Sequence, residues 1–61
     1  MKVREVIRLL VQAGWREIRS KGSHRQFKHP DARFTVTVPG NEGAELRPGT
    51  LNDILKKAGL K

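Results

Sequence analysis

Cysteine is absent from this chain, aromatic residues are down to one Trp and two Phe, acidic residues are few, and no long apolar run occurs. Each lack excludes something. Without cysteine there is neither a disulfide framework nor a thiolate metal site, and two histidines with scattered carboxylates disfavour a protein-held zinc, so no metal and no small-molecule cofactor is expected. A reducing, cytoplasmic setting fits the same absence. The first apolar stretch, Val3 to Val11, is broken by Arg4, Glu5 and Arg8, which suits neither a signal-peptide core nor a membrane span. No aromatic-rich strand offers a platform for stacking single-stranded bases. At 61 residues there is room for one small domain, residues 1–61, and a chain of this size buries only about 60% of its unfolded surface.

The shortage of acids leaves thirteen Lys and Arg against six Asp and Glu, a net charge of +7. Such an excess favours a polyanionic partner, nucleic acid or an acidic protein, through long-range attraction and counterion release. The excess is uneven. Arg16, Arg19, Lys21, Arg25, Lys28 and Arg33 face only Glu17 and Asp31, whereas Glu42, Glu45 and Asp53 lie downstream with Arg47 among them.

Val3, Val6, Ile7, Leu10 and Val11 recur with the period of a helix face, which predicts a first helix over residues 2–13. Gly14 supplies a left-handed stop, and Trp15 is placed to fold back on Leu10. The stop recurs near the other end: Leu9-Leu10-Val11-Gln12-Ala13-Gly14-Trp15 and Ile54-Leu55-Lys56-Lys57-Ala58-Gly59-Leu60 share one pattern, so Leu55 and Leu60 are expected to pair likewise. The second helix should begin near Pro48 and carry Leu51, Ile54, Leu55 and Ala58 on one face. Between the helices lie three strand candidates, Trp15–Arg19, Arg25–Lys28 and Phe34–Val38. In the last, Phe34, Val36 and Val38 alternate with Thr35 and Thr37 until Pro39-Gly40 ends the pattern. His29-Pro30-Asp31-Ala32-Arg33 reads as a hairpin turn, Lys21-Gly22-Ser23 as a tighter one, and Gly40–Arg47 as a polar, mobile loop. The fold class is therefore α+β, an α-β-β-β-α chain whose three-stranded antiparallel sheet carries both helices on one face.

The chemistry concentrates at Gly22-Ser23-His24-Arg25-Gln26-Phe27-Lys28. Strand alternation puts His24, Gln26 and Lys28 on one face and Arg25, Phe27 and His29 on the other, with Phe27 as the core residue. Gly22 and Ser23 leave space for a phosphodiester to approach, and Lys21, Arg25 or Lys28 can offset its charge. Histidine suits proton transfer near neutrality, its unperturbed pKa being about 6.5. A lone histidine is nevertheless most often a turn or surface residue, and charged runs are most often solvated faces. His29, before Pro30, reads as structural or merely exposed. Trp15, directly after the helix stop, reads as core or interface rather than as a base-stacking platform. Pro48-Gly49-Thr50 offers the free N–H groups that every helix start has.

Taken together, the Ala13-Gly14-Trp15 helix end, the Lys21-Gly22-Ser23-His24 step, the His29-Pro30-Asp31 turn, Val36-Thr37-Val38-Pro39, and Arg47-Pro48-Gly49-Thr50-Leu51 leading into Ile54–Leu60 resemble the HicA family of toxin-antitoxin toxins almost end to end. The resemblance implies a fold similar to the double-stranded RNA-binding domain. It also implies a metal-independent endoribonuclease that cleaves mRNA and is neutralised by a HicB-like antitoxin, with His24 as the essential general acid or base. Around His24, the residues expected to contact RNA are Lys21, Gly22, Ser23, Arg25, Gln26 and Lys28. One departure is Pro39-Gly40-Asn41, where many members carry a second histidine. The rival reading is a non-catalytic RNA-binding module of the same shape, in which His24 is one contact among several.

Overall fold

The computed structural model describes residues 1–61. The two apolar stripes fold as α1 (Val3–Gln12) and α2 (Pro48–Lys57), and between them run β1 (Arg16–Lys21), β2 (His24–Lys28) and β3 (Val36–Val38). The strands form one antiparallel sheet in chain order, with β2 in the middle. This is the expected α-β-β-β-α arrangement. No helix is long and apolar enough to cross a membrane.

Both helices end as their shared pattern requires. At α1 the Trp15 N–H donates to the Leu10 carbonyl at 2.9 Å and the Gly14 N–H to that of Val11 at 3.0 Å. At α2 the Leu60 N–H donates to Leu55 at 2.8 Å and the Gly59 N–H to Lys56 at 3.1 Å. These pairs are the two bonds of a Schellman stop, closed by a left-handed glycine in each case.

The core joins Val3, Val6 and Leu10 of α1 and Ile54 of α2 to Phe27, Val36 and Val38 of the sheet, with Trp15 and Leu46 completing it. Register explains the sheet's share. Phe27 pairs with Val36 and Arg25 with Val38, so these four point to the helix side, while Gln26 and Thr37 face the other way.

Four expectations need correction. Val11 is 56% exposed, because it lies about 100° around the helix from Leu10, off the buried stripe of Val3, Val6 and Leu10. The strand expected over Phe34–Val38 is paired only from Val36, and Phe34 is 47% exposed, lying over Trp15 with ring centroids 6.0 Å apart. The strand expected over Trp15–Arg19 instead runs to Lys21, with a bulge between Glu17 and Arg19. An unbroken register would set Ile18 opposite Phe27 on the core side; the bulge removes it, and Ile18 is 56% exposed.

The fourth correction concerns Gly40–Arg47, which is tied down rather than loose. Its carbonyls at Ala44 and Glu42 accept the Val3 and Arg4 N–H groups at 2.9 and 3.0 Å, and the Leu46 N–H donates to Met1 at 3.1 Å. The first turn of a helix always has donors without intrahelical partners. Here a loop remote in sequence satisfies them, and Glu5 adds its carboxylate to the Lys2 N–H at 2.9 Å.

Candidate active site

Lys21 pairs directly with His24, so β1 and β2 are joined by Gly22 and Ser23 alone. Gly22 has φ +59° and no non-glycine residue has a positive φ, the pattern of a two-residue type II′ hairpin turn. A side chain at Gly22 would strain that turn, and the turn fixes the register. Register in turn decides which way His24 faces. The pairs Lys21–His24, Arg19–Gln26 and Gln26–Thr37 put these five side chains on the sheet face opposite Phe27. With Gly22 and Ser23 they line a concavity of about 560 Å³ that contains no hydrophobic residue.

His24 and Thr37 also belong to a second recess of about 300 Å³, where Thr35 and the β3 edge face Thr50, Asp53 and Lys57 of α2. His24 thus stands where an open basic face meets a groove between sheet and helix. Its imidazole is exposed and takes part in no hydrogen bond within the chain, which leaves both nitrogens available to a ligand. The helix wall was not foreseen from the sequence. Thr50, Asp53 and Lys57 recur at helical spacing, but that pattern reads as an ordinary solvated face until Ile54 docks α2 against the sheet.

Of the expected contacts, Lys21, Gly22, Ser23 and Gln26 are gathered around His24. Arg25 and Lys28 are not. Arg25 faces the helix side, where its Nη2 lies 3.4 Å from Glu42 and its Nη1 is buried without a partner. Lys28 shares the parity of His24, but its ammonium donates to the Ala32 carbonyl and closes the β2–β3 turn. At about 3.3 Å per residue it also begins about 13 Å from His24 along the strand.

Of the two readings open for His29, structural or merely exposed, its bonds favour the first. The Asp31 N–H donates to Nδ1 at 3.0 Å, which fixes Nε2 as the protonated nitrogen, and Nε2 lies 3.1 Å from the Ala13 carbonyl that it donates to. The ring also rests on Trp15, centroids 5.3 Å apart. Both nitrogens are therefore occupied, in contrast to those of His24. No three His, Asp or Glu side chains are gathered closely enough to hold a metal ion.

A small basic α-β-β-β-α protein with one unpartnered histidine at the mouth of a cation-lined hairpin is the class these features define. Residues 3–60 match the family model described as the HicA toxin of bacterial toxin-antitoxin, so the chain belongs to the HicA toxin family. Membership implies a cognate antitoxin as partner. No curated protein matches the chain significantly.

Proposed function

We propose that the chain is a metal-independent endoribonuclease that cuts mRNA at His24 and is neutralised by a HicB-like antitoxin. The observation that carries this reading is the placement of His24: exposed, free of internal partners, beside Lys21 and next to a turn with no bulky side chain. A phosphodiester can therefore come within reach of the imidazole. In the cleavage step the ribose 2′-oxygen attacks the adjacent phosphorus, and the P–O2′ bond forms as the P–O5′ bond breaks. The 2′-hydroxyl proton passes to neutral His24, and a solvent water supplies a proton to the departing 5′-oxygen. Lys21 offsets the charge that builds on the phosphoryl oxygens. The products are a 2′,3′-cyclic phosphate and a 5′-hydroxyl.

His24→Ala tests this. The imidazole contributes nothing to the core, so the variant should keep the parental circular dichroism and melting temperature. Its cleavage should fall about 10²- to 10⁴-fold, as loss of a general acid or base typically does. A variant that stays folded, still binds RNA and cuts at the parental rate would make the non-catalytic RNA-binding module the better reading. The parental chain should leave 2′,3′-cyclic phosphate ends, which end-group analysis detects.

A further inference from the structure

The cationic side chains of this basic protein are not equally available. Arg25 pairs with Glu42, Lys28 donates to the Ala32 carbonyl, and Lys61 donates to Asn52. Lys57 has no ion pair or side-chain hydrogen bond, and it lines the groove that holds His24. Its position is set by packing. Ile54, 4% exposed, anchors α2 to the sheet, and Thr50, Asp53 and Lys57 follow that anchored side at helical spacing. Lys56, a single residue earlier, points about 100° away and lies outside the groove.

The geometry points to Lys57 as a substrate-contacting catalytic residue, holding the phosphate that His24 acts on from the helix side of the groove. The inference rests on the ribonuclease reading above and supplies the part of the site that the hairpin lacks. His24 and Thr37 are common to the sheet concavity and the groove, so the two form one track. Arg19 and Lys21 flank that track on the sheet side, and Lys57 is the one Lys or Arg on the α2 side. An RNA backbone laid along it meets positive charge on both sides of the imidazole. Asp53 sharpens the expectation. It lines the same groove four residues before Lys57 and makes no ion pair with it, so without Lys57 a phosphate entering the groove would face a bare carboxylate.

The test uses a 2′-O-methylated single-stranded RNA, which cannot be cut by this route, for binding, and the unmodified RNA for single-turnover cleavage. Losing one phosphate contact should lower the slope of log affinity against log salt by about 0.7 for Lys57→Gln. Lys56→Gln, with the same change in net charge, should leave the slope as it is. Cleavage at saturating RNA should fall about 10²-fold in Lys57→Gln, as when one transition-state donor is removed, and recover in Lys57→Arg. Asp53→Asn should bind more tightly than the parent. If the Lys57 and Lys56 variants share one slope, the assignment is overturned, whatever cleavage shows. A difference in slopes in a chain that cuts no RNA would leave the phosphate contact standing and remove the ribonuclease reading instead.

Discussion

Two demands meet at Gly14. Its φ is +98°, and a Cβ there would come within 2.8 Å of the His29 Nε2 atom, which is held in place by the Ala13 carbonyl. Gly59 closes α2 in the same way at φ +73°, yet nothing lies within 4 Å of its would-be Cβ. Alanine at Gly59 should therefore cost only the left-handed backbone term, about 1–2 kcal/mol. Gly14→Ala should cost more, and urea unfolding should show part of the excess disappear in a His29→Ala background, since the two sites touch. Equal costs for the two glycine variants would show that the His29 ring simply moves aside. The two histidines were told apart in the sequence for related reasons. A residue before proline at a turn is locked into local structure, while one on the solvent parity of a strand is not. The particular bonds of His29 were not legible, because Ala13 and Trp15 reach it only through the fold.

At the scale of elements, periodicity carried most of the information. The helical stripe, the duplicated Ala-Gly stop and the alternation around Phe27 gave the order of elements and the outward face of His24. What escaped were features that depend on packing between elements. Phe34 continues the alternation of Val36 and Val38, but pairing with β2 begins only at Val36 and the ring goes to Trp15 instead. The α2 side of the groove was hidden for the same reason, and so was the bulge at Ile18. The loop Gly40–Arg47 looked mobile because it is polar and short of periodicity; its work is done by backbone carbonyls, which composition does not reveal. Hydrogen exchange can check that role. The amides of Val3, Arg4 and Leu46, bonded to Ala44, Glu42 and Met1, should exchange much more slowly than the unbonded amides of Gly49 and Thr50 at the start of α2. Comparable fast exchange at both places would mean that the loop opens independently and does not cap α1.

For the molecule as a whole, the decisive ratio is nine buried residues in a chain of 61 carrying +7. A core of this size supports only marginal stability, and the unbalanced charge adds self-repulsion. Any partner that binds only the folded form then has a large visible effect. A ligand present at 100 times its Kd stabilises by about 2.7 kcal/mol, and a domain of 60–100 residues shifts in Tm by about 4–8 °C per kcal/mol. The cognate antitoxin implied by family membership should accordingly raise the melting temperature by roughly 10–20 °C at that excess. Where it binds is open to a second measurement. If the antitoxin silences the chain by covering His24 and the adjoining cations, it should displace a 2′-O-methylated RNA, and added salt should weaken both ligands because both meet the same positive field. The His24→Ala variant should gain nearly the same thermal shift, since one exposed imidazole is a small part of such a surface. An antitoxin that stabilises the chain while leaving RNA binding untouched would place its interface elsewhere, with the exposed Ile18 and Arg16 of the β1 edge as the first alternative to probe.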